Sequence, residues 1–181
     1  LKSAVFGGLD GIITTFAVVA GASGGNINYQ GILILGFSSI FADALSMGVG
    51  DALSSKAEAE YITRERNREM WECENYKEGE IKEMVELYTK KGMKEEDAKT
   101  VIDIISKDNQ FFVDIMMVEE LGLMPPDDDD NPWKDGAVTF ASFVFFGTFP
   151  LLGYVVFTGL TKNADTLFWI AVGLTSATLF A

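Results

Sequence analysis

From Gly31 to Leu53 the sequence reads GILILGFSSIFADALSMGVGDAL, a stretch whose only charges are Asp43 and Asp51. At about 1.5 Å of rise per helical residue, such a segment is long enough to cross the roughly 30 Å hydrocarbon core of a bilayer. The sequence after it changes character. From Ala52 to Lys77 there is no Gly or Pro, and Ala, Glu and Arg are abundant, so the helix is expected to run on into polar sequence. Three other segments are membrane-like. Ser3 to Gly25 holds only Asp10 as a charge, Gly136 to Gly159 holds none and contains Pro150, and Thr166 to Ala181 is apolar but short. The first is too long and too rich in Gly for a cleaved signal peptide, and it carries an internal Asp. Because the chain starts at Leu1 and the last apolar segment falls short of a span, it reads as a piece of a longer polypeptide.

Charge is concentrated between these segments. Of 27 acidic and 14 basic residues, 23 and 12 lie between Ser54 and Asp135, so this centre carries −11 of the total −13. Such a balance disfavours nucleic acid, whose phosphates need cationic partners, and attracts cations instead. The single Cys73 allows no internal disulfide. The absence of histidine leaves carboxylate, thioether and carbonyl groups as the metal ligands and removes the usual near-neutral proton carrier.

The expected architecture is therefore all-α: a polytopic helical membrane protein with an inserted helical domain. Residues 1–53 form the first two membrane helices, 54–126 the polar domain continuous with the second, 127–135 an acidic linker, and 136–181 two more membrane helices. Within the domain, Gly79 reads as a break. A helix over Glu80–Lys91 is closed by Gly92, and two more cover Glu95–Ser106 and Asn109–Leu121. The run Asp127 to Asp130 lacks the spacing and the Gly of a calcium loop and reads as a solvated tether. Lys2, Lys56, Arg64, Arg66, Arg68 and Lys134 fall on one side of the membrane and the 26–30 connection has no Lys or Arg. The N-terminus and the polar domain are thus expected in the cytosol, with Lys162 the one residue against it.

The sharpest chemical signal is charge inside the membrane segments. A carboxylate at the bilayer centre costs about 2.5–3.5 kcal/mol even on lenient scales, so Asp10 and Asp43 read as parts of an ion pathway. Asp43, Met47 and Asp51 recur at i, i+4 and i+8, which sets oxygen, sulfur and oxygen on one helix face. That pairing suits a borderline-soft ion such as Fe²⁺. Two bland readings stand beside it: Asp51 solvated at the interface, and Met47 as packing. In the polar domain Glu69 and Glu72, and Glu80 and Glu83, are pairs three apart, and Met116, Met117 and Glu120 add thioethers and a carboxylate. Either these bind metal together, or they are solvated Glu and core Met at ordinary helical spacing. The Glu-x-x-His pattern of di-iron bundles is absent, which argues against a ferroxidase.

Three motifs then carry a resemblance. Gly8 to Gly21, GLDGIITTFAVVAG, resembles the opening helix of the vacuolar iron transporter family. Phe41 to Asp51, FADALSMGVGD, resembles its second helix in the form seen in plant members, with Asp51 where the family often has Glu. Thr148 to Tyr154, TFPLLGY, is similar to its third helix. The resemblance covers the whole chain. It implies a non-enzymatic homodimer of the vacuolar membrane with five membrane helices per subunit, exchanging cytosolic Fe²⁺ for vacuolar protons. Asp10 and Met47 match pathway positions. Glu69, Glu72, Glu80, Glu83, Met116, Met117 and Glu120 match the metal-binding positions of a cytosolic domain that the nodulin-like branch lacks. No tightly bound cofactor is implied. Fe²⁺ is the substrate, with Zn²⁺, Mn²⁺ and Co²⁺ able to occupy the same sites and lipid as the surrounding partner. Two rivals remain: Mn²⁺ or Zn²⁺ transport by the same mechanism, and a membrane-anchored metal buffer or sensor.

Overall fold

In the computed structural model, residues 2–125, 131–158, 161 and 163–180 are described. The run Asp127–Asp130 and Lys162 lie outside them. The described residues hold eight helices and no strand: α1 (Lys2–Gly24), α2 (Tyr29–Asn75), α3 (Lys77–Lys90), α4 (Glu95–Ile105), α5 (Asn109–Glu119), α6 (Pro132–Gly147), α7 (Phe149–Phe157) and α8 (Ala164–Leu179). The chain divides into two compact units, Leu1–Ser55 with Asn131–Ala181, and Lys56–Asp130. α2 is one helix of 47 residues, apolar in its first half and polar in its second.

In the first unit α1 and α2 are long and apolar enough to cross a membrane, and α6 with α7 forms a bent pair that makes a third candidate span. The sequence suggested a single helix over 136–159. The structure instead breaks it at Thr148, with a bend of 41°. Pro150 accounts for the break: it has no N–H to give the ladder, and its ring clashes with the carbonyl four residues back, that of Phe146. α8 has 16 residues, shorter than a full span, so the four expected spans appear as two full helices, one bent pair and one shorter helix.

Lipid tails are as apolar as leucine, so hydrophobicity does not drive these helices together; close packing does. Gly7 and Gly11, one turn apart on α1, lie against α6 so tightly that a Cβ would come within 2.7 Å of the Thr139 carbonyl and 2.6 Å of the Phe143 carbonyl. Gly48 of α2 and Gly136 of α6 meet in the same manner, a Cβ on Gly136 running into the Gly48 carbonyl. Around these contacts Val19, Ala22, Ile32, Ile40, Ala44, Phe143, Leu151, Tyr154, Leu167 and Ala171 form the buried core.

The second unit is built from the polar half of α2 with α3, α4 and α5. Its core is Cys73, Met84, Val85, Ala98, Ile102, Phe112, Val113, Met116 and Met117. Burying each of the larger of these contributes roughly 1.5–3 kcal/mol. The break between α2 and α3 falls at Tyr76 (φ −134°, ψ 33°). It does not fall at Gly79, as the sequence suggested, because Gly79 lies in the first turn of α3 and its N–H bonds back to the Tyr76 carbonyl at 2.8 Å. Gly92 ends α3 at φ +105°, a conformation open to Gly without a Cβ penalty. There the Gly92 N–H donates to the Thr89 carbonyl and the Met93 N–H to the Tyr88 carbonyl, closing both orphan acceptors. Asp108 caps α5 by accepting from the N–H groups of Gln110 and Phe111, and Arg66 of α2 bonds Asp114 of α5 at 2.8 Å.

Gly11→Leu is therefore expected to destabilise the membrane unit by about 1–3 kcal/mol or more. Gly21→Ala, where nothing lies within 4 Å of the added Cβ, is expected to be neutral or to stabilise by about 0.5–1 kcal/mol. Thermal unfolding and size-exclusion profiles of the detergent-solubilised variants check both.

Candidate functional site

The break at Tyr76 has a chemical consequence. Glu69 and Glu72 share one face of α2 at i, i+3, and Glu80 sits in the first turn of α3, where carboxylates are favoured by the positive end of the helix. The turn brings one carboxylate oxygen of each within 4.8 Å of the others. Glu69 is 4% exposed, and Glu72 and Glu80 are half-buried. Burial and the neighbouring charges of Glu120, Glu72 and Glu80 push the Glu69 carboxyl up to about 7. Glu80 is also raised, first by burial and then by Glu72, Glu120 and Glu83. Glu120, at the C-cap of α5, is raised by burial and then by Glu83 and Glu72. Five carboxylates from three helices thus repel one another, with Glu69 buried, Glu72 and Glu80 half-buried, and Glu83 and Glu120 exposed. Arg68 opposes them, its Nε donating to Glu72 at 3.1 Å.

The remaining residues singled out in this unit fall in two places. Glu83 and Glu120 line a surface cleft of 350 Å³ with Lys82, Glu86 and Lys90. Met116 and Met117 are fully buried in the apolar core. Two residues that carried no site role in the sequence now border the cluster. Cys73 adjoins Glu72, but it is buried and its thiol is pushed up, so it stays protonated near neutrality and is a poor metal ligand. Arg68 counted only toward topology, although its spacing from Glu72, i to i+4, was the available signal.

Three converging carboxylates, one of them buried, offer oxygen ligands of the kind a divalent cation could take. Such an ion would offset the mutual repulsion of the carboxylates, and oxygen ligands accept Mn²⁺ or Fe²⁺ without demanding a soft donor.

In the membrane unit the singled-out side chains are placed differently. Asp43 accepts the Ser39 hydroxyl at 2.9 Å, one turn back on α2. Asp51 accepts the Thr139 hydroxyl of α6, which ties it to a neighbouring helix. Asp10 is half-buried, and Met47 packs against the apolar core. Among the described residues these aspartates do not gather into a cluster of three carboxylates like that of the second unit.

Comparison with known proteins adds a separate line of observation. The model of the VIT family matches residues 1–181. A vacuolar iron transporter of Toxoplasma gondii is 46% identical over 99% of this chain and 61% of its own length. One from Plasmodium falciparum is 40% identical over 99% of the chain and 67% of its own length. Vacuolar iron transporter 1 of Arabidopsis thaliana is 33% identical over 86% of the chain and 62% of its own length. The chain thus spans about three fifths to two thirds of these relatives, which are named as transporters, a non-enzymatic function.

The position of Glu69 fixes a pH dependence. Its folded value, about 7, lies above the ordinary 4.5, so between those two pH values the folded unit holds a proton that the unfolded chain has lost. The stabilisation is complete below about pH 4.5 and is lost as pH rises through about 7. Metal-free protein is therefore expected to lose thermal stability from pH 5 to 7.5. Glu69→Gln should flatten that slope and raise the apparent Tm at pH 7.5 by on the order of 5 °C, as measured by differential scanning fluorimetry with a chelator present.

Proposed function

The chain belongs to the VIT family, and on that premise we propose that it is part of a transporter moving Fe²⁺ from the cytosol into the vacuole in exchange for protons. The observation that carries the reading is the convergence of Glu69, Glu72 and Glu80 in a chain that matches this family along its whole length. The helical unit of residues 54–126 is the cytosolic capture domain and 127–135 its acidic tether. Residues 1–53 and 136–181 supply four of the five membrane helices of each subunit in a homodimer of the vacuolar membrane. In the capture domain Glu69, Glu72 and Glu80 hold the ion first. Glu83 and Glu120 draw it in from the adjoining cleft, while Met116 and Met117, one turn before Glu120 on α5, lie in the apolar core and pack the helix that carries it.

From there the ion enters the membrane past Asp51, Asp43, Met47 and Asp10. Within this stretch, which holds no histidine, carboxylates are the groups that carry counter-transported protons. Protonation from the acidic side removes the charge that holds the cation and releases it. The all-oxygen character of the converging cluster also favours a second cargo, Mn²⁺, on the same route.

Full-length protein in proteoliposomes with an acidic interior tests this. Fe²⁺ uptake is expected to need the pH gradient and to fall at least about tenfold in Asp10→Ala and in Met47→Ala made separately, a loss of about 1.4 kcal/mol or more at the transport step. Unchanged uptake in both variants would remove the pathway. Metal binding without flux would point to a buffer or sensor, and faster Mn²⁺ or Zn²⁺ than Fe²⁺ flux would reassign the cargo.

A further inference from the structure

Repelling carboxylates need a counter-charge, and the capture domain carries one in an unusual place. Arg68 lies on α2 between Glu65 and Glu72, at i−3 and i+4 from them. Its Nε donates to Glu72 Oε1 at 3.1 Å, while its Nη1 stands 3.8 Å from Glu65 Oε2. One guanidinium therefore spans two carboxylates. Glu72 belongs to the converging cluster and Glu65 does not. The Arg68 side chain is 65% exposed, so the pair is of the weakly held surface kind and the guanidinium can change partners without disturbing the core. Glu69, by contrast, is sealed and depends on its neighbours for compensation.

Resting on the reading of this cluster as an Fe²⁺-capture site, we propose that Arg68 is a built-in competitor that shares Glu72 with the metal and so sets the affinity and release rate of the site. Without the ion, Arg68 holds Glu72 and offsets part of the repulsion among Glu69, Glu72 and Glu80. An arriving divalent cation takes the Glu72 oxygen, and the guanidinium moves to Glu65, one turn toward the N-terminus of α2. When the ion leaves, Arg68 returns. A site made only of carboxylates would bind more tightly and deliver more slowly, which a transporter cannot use. The repulsion between a divalent ion and a guanidinium about 6 Å away in a water-like dielectric corresponds to about tenfold in affinity.

The test is anaerobic titration calorimetry of Fe²⁺ into the full chain in detergent, at about 0.02 M and about 0.5 M salt, where screening differs strongly. R68Q is expected to bind about tenfold tighter than the unsubstituted protein at low salt, with the advantage shrinking to about twofold at high salt. R68K, which keeps the charge and loses the planar fork, should stay within about threefold of the unsubstituted protein. K99Q removes the same charge from a pair with Glu95 on α4 and should change nothing. Equal or weaker binding by R68Q, as a residue that merely holds Glu72 in place would give, overturns the proposal, and so does equal tightening by K99Q. Failure of the underlying site reading looks different: Fe²⁺ binding would then be absent or insensitive to E69Q and E72Q, and the role of Arg68 would fall with it.

Discussion

Close approach of helix backbones at glycine is the contact on which the membrane unit depends. In water, α1 and α6 would be driven together by burying apolar surface, but in lipid that drive is missing and only packing distinguishes a partner helix from an acyl chain. Gly7 and Gly11 let α1 settle against the carbonyls of Thr139 and Phe143, and Gly48 and Gly136 do the same for α2 and α6. These contacts hold Thr139 where its hydroxyl reaches Asp51. A polar group in the membrane helices is thus positioned by residues that have no side chain.

The second unit works by the opposite logic. Its core of Met84, Ile102, Phe112, Met116 and Met117 is an ordinary apolar cluster, and it is used to hold an unfavourable arrangement in place. Packing α3 and α5 against α2 keeps Glu69 out of water and sets Glu72, Glu80 and Glu120 around it, so the folded chain carries repulsion that a bound cation would relieve. That repulsion costs stability locally, beside an apolar core that holds the helices together.

Much of this was readable in one dimension, and some was not. The apolar lengths of α1 and α2, the acidic centre and the positive-φ stop at Gly92 follow from composition and residue type. The break in the third membrane segment was also encoded, in Pro150, but an intact helix was the simpler reading of an uncharged stretch. Gly79 was the obvious punctuation between α2 and α3, yet the chain turns at Tyr76, because a glycine is tolerated in a first helical turn and the turn itself is set by how α3 packs. Arg68 was visible only as a positive charge near a membrane end. Its spacing to Glu65 and Glu72 acquires meaning once Glu72 is known to face Glu80.

By itself the sequence determined that this chain is helical, which segments are apolar enough for a membrane and where its acidic charge is gathered. These are properties of local composition and period, and the solvent acts on them residue by residue. The tertiary structure alone decided which of many glutamates meet, that Glu69 is the sealed one, that Met116 and Met117 lie in the core, and that Asp51 is held by Thr139. Convergence depends on a turn and on the packing of helices distant in sequence, and burial depends on what those helices cover. Neither can be read from the spacing of residues along one helix.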